Sequence, residues 1–214
     1  MTTLKKVRPS ILSFAKELPN ICSLSGLFSA LLAIYFAFLG NFPAAMIGLL
    51  WAIFFDWGDG IIARKMKGRT PEQGEFGGQL DSLIDIISFG VCPAVVLLSY
   101  GNFSPWFLPG AFVILAAGVL RLSYFNVFGL VEGSTYRGMA IDNNGIILTL
   151  FFLLDGLVST SIFCTTLYIL VIVIAMLNIA PINTPKLTGR WFTVITIYTL
   201  LLTLIYSWKI LTLQ

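Results

Sequence analysis

The sequence predicts an all-α protein built into a membrane: a polytopic bundle of about seven transmembrane helices (six to eight), with a short amphipathic helix at its N-terminus. Three observations lead there. Of 214 residues, 57% are hydrophobic and only 11% charged, whereas a soluble domain carries about 25% charged residues. Apolar stretches long enough to cross a bilayer core, roughly 20 residues each, recur along the chain. The basic residues fall almost entirely on one side of those stretches once they are threaded through a membrane.

The segments run in order at 22–40, 43–64, 77–100, 105–127, 139–158, 161–180 and 190–212. Turn chemistry separates them: Gly40-Asn41-Phe42-Pro43, Gly101-Asn102-Phe103-Ser104-Pro105 and the connection Pro181-Ile182-Asn183-Thr184-Pro185-Lys186. Only Asp155-Gly156 and Ser159-Thr160 divide the fifth segment from the sixth. Residues 1–17 lack the apolar core and cleavage pattern of a signal peptide. Lys5, Lys6, Arg8 and Lys16 alternate there with Ile11, Leu12, Phe14 and Ala15, as in a helix lying on an anionic membrane surface. With the N-terminus in the cytoplasm, 12 of the 13 basic residues lie on the cytoplasmic side and Lys209 alone on the other. The expected location is therefore a cell inner or plasma membrane, and residues 1–214 read as a single membrane domain.

The composition also excludes functions. A net charge of +3 is too small for a nucleic-acid binder. The absence of histidine removes imidazole catalysis and histidine metal sites. Cys22, Cys92 and Cys164 are odd in number and sit in apolar surroundings, so they read as small buried hydrophobes. Carboxylates must carry any chemistry.

Four of them lie in the second and third segments. Asp56 and Asp59 are spaced i, i+3 and Asp81 and Asp85 i, i+4, so each pair shares a helix face. A connecting loop of about twelve residues makes the two helices antiparallel neighbours whose pairs meet at similar depth. Oxygen donors without His or Cys suit a hard divalent cation, Mg²⁺ or Mn²⁺. Interfacial pairing with Arg64, Lys65, Lys67 and Arg69 is the bland alternative; it does not require this spacing. Gly58, Gly60, Gly77 and Gly78 leave bare backbone beside the carboxylates, for a ligand or for a neighbouring helix.

The run Asp56-x2-Asp59-Gly60-x2-Ala63-Arg64-x12-Gly77-x3-Asp81-x3-Asp85 resembles the signature of the CDP-alcohol phosphatidyltransferases, apart from a gap between arginine and glycine several residues longer than usual. The resemblance covers residues 18–145. It implies attack by an alcohol on the β-phosphate of a CDP-activated lipid such as CDP-diacylglycerol, with release of CMP. It also implies one or two divalent ions held by Asp56, Asp59, Asp81 and Asp85, with Asp85 as general base, and a homodimer among membrane lipids. Asn20, Gly60, Arg64, Thr70 and Gly77 match positions that contact the CDP-lipid in relatives, and the longer gap bears most directly on Thr70.

Beyond the core signature, Gly77-Gly78-Gln79-Leu80-Asp81-Ser82-Leu83-Ile84-Asp85-Ile86-Ile87-Ser88-Phe89-Gly90-Val91-Cys92-Pro93-Ala94 and Arg121-Leu122-Ser123-Tyr124-Phe125-Asn126 are similar to the phosphatidylserine synthase branch. That favours L-serine as the small polar alcohol, ahead of inositol phosphate, glycerol phosphate and choline. The stretch Tyr136–Gly145 lacks the branch's proline-containing turn. Arg121, Asn126, Arg137, Asn143 and Asn144 are the polar groups best placed to bind the acceptor; each could equally be an interface anchor or a helix cap. A divalent cation transporter is the competing reading, but it would set its carboxylates near mid-membrane on broken helices. An intramembrane aspartyl protease would need Gly where Asp56-Trp57-Gly58-Asp59 begins with Asp.

Overall fold

The computed structural model describes residues 10–131, 133, 135–187 and 189–212. After a short helix α1 (Ile11–Ala15) come α2 (Leu18–Phe38), α3 (Phe42–Lys65), α4 (Pro71–Ile86), α5 (Cys92–Tyr100), α6 (Leu108–Phe128), α7 (Asp142–Phe151), α8 (Thr160–Ile179) and α9 (Arg190–Thr212). A π-helical turn, Ile87–Val91, joins α4 to α5 into one span, Pro71–Tyr100. Among the described residues, six helices are long and apolar enough to cross a membrane. Of the predicted interfacial helix, Ile11 and Leu12 are exposed, as lipid contact requires, while Lys5, Lys6 and Arg8 lie outside the described residues.

The fifth predicted segment, 139–158, is the one that differs. It forms α7 and a 3₁₀ turn, Phe152–Leu154; thirteen residues rise only about 20 Å, against a hydrocarbon core of about 30 Å. It nonetheless joins the two ends of the bundle. Trp57 Nε1 donates to Asp142 at its start (2.9 Å) and Tyr100 Oη to Asp155 just past its end (2.7 Å). Lys209 Nζ closes that far end by donating to the carbonyls of Leu153 and Asp155 at 3.0 Å each, which satisfies acceptors a helix terminus leaves open.

Helix α2 packs along α3 through small residues, including Gly26, Ser29, Ala30, Ala33 and Ala37, all buried on one face. A Cβ on Gly48 would lie 2.7 Å from the Ala33 nitrogen, so the two backbones touch there. Between helices in lipid, where no hydrophobic drive separates helix from tail, such close packing supplies the attraction.

The π turn follows from one residue. Pro93 has no N–H to give the carbonyl of Phe89, four residues earlier, and the ladder must yield there. Asn144 of α7 supplies the donor instead: its Nδ2 lies 2.9 Å from the Phe89 oxygen and 3.1 Å from Asn178 Oδ1, and Asn178 Nδ2 returns a bond of 2.9 Å to Asn144 Oδ1. The loops after α6 and α8 pair as a two-stranded antiparallel ribbon, β1 (Thr135–Arg137) with β2 (Asn183–Pro185), Tyr136 opposite Thr184. Gly138 continues it at φ +75°, where a Cβ would fall 2.1 Å from the Asn178 oxygen.

The loop between α3 and α4 is five residues, 66–70, not the predicted twelve. Thr70 and Gln73 form a capping box with Pro71 at the first helical position, the arrangement that starts a helix most firmly. Half of the twelve residues between Arg64 and Gly77, Pro71 to Phe76, therefore belong to α4.

Asn144→Ala strands the Phe89 carbonyl and the Asn178 amide. It should lower unfolding free energy by about 1 to 3 kcal/mol, read as a fall in thermal midpoint in detergent, and a cycle with Asn178→Ala should be less than additive.

Candidate active site

At the end of the bundle where α3 ends and α4 begins, a cavity of about 220 Å³ opens between α3, α4, α6, the start of α7 and the ribbon. Asp56, Asp59, Asp81 and Asp85 all line it. One oxygen from each of Asp56, Asp81 and Asp85 lies within 4.8 Å of the others. Asp59 stands slightly apart: it is buried and accepts a short hydrogen bond from Ser23 Oγ of α2. The expectation that two antiparallel helices bring their carboxylate pairs to one depth is met. Oxygen donors in such a group fit a hard divalent cation, and the donor set contains no nitrogen or sulfur.

Gly60 and Arg64 share the cavity wall with the aspartates. A Cβ on Gly60 would meet Arg64 Nη1 at 3.3 Å, so the bare glycine lets the guanidinium lie along its own helix. Asn20, Thr70 and Gly77 are elsewhere. Asn20 is buried and donates to the Phe14 carbonyl (2.8 Å), and Thr70 is the exposed cap of α4. Gly77 faces Asn20 and Arg69: a Cβ there would sit 2.8 Å from Arg69 Nη2 and 3.2 Å from Asn20 Oδ1. Arg69 is held by Glu17 at 2.9 Å and by the Gln73 carbonyl at 2.9 Å. These three positions thus form the joint that ties the N-terminal segment to the α3–α4 loop.

The predicted acceptor residues divide likewise. Arg121 and Asn143 line the cavity. Arg121 is buried between the rings of Phe125 and Tyr136, 5.4 and 4.9 Å from their centroids. Asn126 is exposed and accepts from Ser82 Oγ (3.1 Å), Arg137 is exposed and donates to Asn183 (3.3 Å), and Asn144 is fully buried in the core bonds described above. Absent from the predicted set are Asp142, a fifth carboxylate in the wall, and Tyr136 and Lys186 of the ribbon region. Burial pushes the Lys186 ammonium down from its usual value, and Arg64 nearby adds to the effect. Burial likewise pushes the Tyr136 hydroxyl up to about 12. The cysteines are free, with Cys92 buried and Cys22 and Cys164 partly so.

A helical membrane bundle with a carboxylate cluster, a glycine and an arginine lining one cavity defines a membrane protein with a candidate divalent-cation site. Residues 16–213 match the family model of the CDP-alcohol phosphatidyltransferases, and the chain belongs to that family. It is a membrane transferase of phospholipid biosynthesis, and the family as a whole depends on divalent metal. The chain is 35% identical to the archaetidylserine synthase of Methanothermobacter thermautotrophicus over 80% of its own length and 71% of the relative's. It is 35% identical to the CDP-diacylglycerol–serine O-phosphatidyltransferase of Methanocaldococcus jannaschii, over 66% of this chain and 63% of that one. To the enzyme of the same name from Bacillus subtilis it is 30% identical, over 62% and 73% respectively.

Thr70→Asp, which keeps a capping oxygen, should leave stability and the KM for the lipid substrate unchanged. Thr70→Val should cost about 1 kcal/mol of stability, seen in thermal unfolding, again without moving that KM.

Proposed function

We propose that this chain transfers a phosphatidyl-type group from a CDP-activated lipid, such as CDP-diacylglycerol, to the hydroxyl of L-serine and releases CMP. The observation that carries the reading is the convergence of Asp56, Asp81 and Asp85 within 4.8 Å in a cavity shared with Gly60 and Arg64. The serine preference draws support from the similarity of residues 77–94 and 121–126 to the phosphatidylserine synthase branch and from the relatives named as archaetidylserine synthase and CDP-diacylglycerol–serine O-phosphatidyltransferase.

Asp56, Asp59, Asp81 and Asp85 would hold one or two Mg²⁺ or Mn²⁺ ions, whose charge, when they are bound, offsets that of the diphosphate and of the departing CMP. Gly60 lets a phosphate approach the α3 backbone, and Arg64 offers two parallel N–H donors to its oxygens. Asp85 takes the proton of the serine hydroxyl. The freed oxygen lone pair forms a bond to the β-phosphorus, and the P–O bond to CMP breaks, its electron pair leaving with CMP. Leu122, Phe125, Ile141 and Phe192 supply the apolar part of the wall, which limits the water that would otherwise hydrolyse the lipid diphosphate. Arg64, Arg121, Lys186 and Arg190 gather around this end, and Lys209 stands at the other, which supports a cytoplasm-facing site in a cell membrane.

Purified protein with CDP-diacylglycerol should release CMP with serine and Mn²⁺ or Mg²⁺, and none after chelation. Release with inositol phosphate, glycerol phosphate or choline in place of serine would move the acceptor, and no release with any of them would overturn the reading. Asp85→Asn should lose at least a thousandfold in turnover, set against the roughly 10² to 10⁴ that a general base contributes plus a ligand's share, while CDP-lipid binding is largely kept. Unchanged turnover would remove Asp85 from the mechanism.

A further inference from the structure

We infer that Asp142 and Arg121 form a charge pair that selects a zwitterionic acceptor, with the Asp142 carboxylate receiving its ammonium and the Arg121 guanidinium its carboxylate. The inference rests on the proposed serine reaction and assigns the two ends of that substrate. Arg121 is 7% exposed, yet its Nε has no acceptor, and no described residue accepts a hydrogen bond from the rest of the group. A guanidinium has five N–H donors, and leaving them idle in a buried position is costly. The aromatic faces of Phe125 and Tyr136 hold its plane in the cavity wall without using those donors.

Asp142 enters the same cavity from the first turn of α7. Trp57 Nε1 donates to one of its oxygens, Oδ2, at 2.9 Å and so fixes the rotamer, while the backbone N–H groups of Asp142 and Asn143 at the start of α7 favour its charged form. Asp142 does not belong to the group of three carboxylates whose oxygens converge within 4.8 Å. No ion pair joins Asp142 to Arg121 in the described residues, although both line one cavity. Two opposite charges that share a low-dielectric space without neutralising each other directly are arranged for something between them.

Most other charges of the cavity have a place of their own, and Lys186, also in its wall, lies 5.9 Å from the centroid of the Tyr136 ring. Asp56, Asp81 and Asp85 converge on one another, Asp59 is bonded by Ser23, and Arg64 lies on the α3 face that carries Asp56 and Gly60. Serine carries its ammonium and carboxylate on one carbon, next to the hydroxyl that must reach Asp85. Moved from water into a cavity whose wall is partly apolar, each of those charges gains from an opposite partner. An acceptor lacking either charge leaves one member of the pair buried and alone, which is how a polar site rejects a near relative.

The test uses the full-length protein in detergent or nanodiscs, with CDP-diacylglycerol and Mn²⁺, and compares wild type with Asp142→Asn and Arg121→Gln. Asp142→Asn keeps an oxygen for Trp57 and the volume of the side chain. Serine is the substrate; ethanolamine, which lacks the carboxylate, and 3-hydroxypropionate, which lacks the ammonium, are competitors. Asp142→Asn should raise the KM for serine at least tenfold, weaken inhibition by ethanolamine and leave inhibition by 3-hydroxypropionate unchanged, with the KM for CDP-diacylglycerol within twofold of wild type. Arg121→Gln should do the reverse with the two inhibitors. Equal losses toward all three ligands, down to complete inactivity, would assign Asp142 to the metal site or to the fold and overturn the pair. Unchanged selectivity in both variants would overturn it as well. Wild-type protein that releases CMP with another acceptor but not with serine would instead overturn the serine reading on which the pair depends.

Discussion

Three carboxylate oxygens within 4.8 Å of one another, in a bundle that is otherwise apolar, constitute the constraint that the rest of the molecule serves. Two unit charges about 4 Å apart repel by about 4 kcal/mol at an effective dielectric of 20, and a membrane helix adds about 2.5 to 3.5 kcal/mol for each aspartate at its centre. The bundle limits that cost by setting the cluster in a cavity that opens at one end and by flanking it with Arg64, Arg121 and Lys186. A divalent cation among the three oxygens would remove the remainder, and the helices must then hold still enough to keep its ligands in place. The close α2–α3 contact at Gly48, the Ser23 bond to Asp59 and the Trp57 bond to Asp142 all steady α3, which carries two of the four signature aspartates.

How much of this could be read from residues alone depended on whether the signal was local. Hydropathy found the six long helices, because each is apolar over a full bilayer thickness. The spacing of Asp56, Asp59, Asp81 and Asp85 placed them on facing surfaces, because helix geometry turns spacing into direction. The α3–α4 connection was also legible: Thr70-Pro71-Glu72-Gln73 is a helix start by its chemistry, which ends the loop at Thr70. The ribbon was not legible. Thr135–Arg137 and Asn183–Pro185 are each three residues long and acquire strand geometry only from each other across 45 intervening residues. Asp142 was hidden for a related reason, since its role comes from Trp57, 85 residues away, and not from its own neighbours.

Asn144 shows how one residue can look functional in sequence and prove structural. It is an amide in a polar run beside the site, as an acceptor ligand would be. Its actual partner is the Phe89 carbonyl, stripped of a helical donor by Pro93. Both ends of that bond matter to the site. The π turn lies immediately after Asp85, so the phase of α4 relative to α5 is set there, and α7 is anchored at the turn that carries Asp142 and Asn143 into the cavity wall.

The shortness of α7 follows from the same requirement. A helix that crossed the full hydrocarbon thickness would have to begin nearer the surface than Asp142 does, and its first turn would then lie outside the cavity. Thirteen residues allow the first turn to sit beside Asp56, but they leave the other terminus inside apolar surroundings with open carbonyls. Lys209 answers that deficit by donating to Leu153 and Asp155, and Tyr100 holds the Asp155 side chain. The one basic residue that departs from the charge asymmetry of the chain is therefore explained by the far end of the helix that carries Asp142: a cation there costs less than unbonded carbonyls would, and it permits a carboxylate at the depth where the signature aspartates lie.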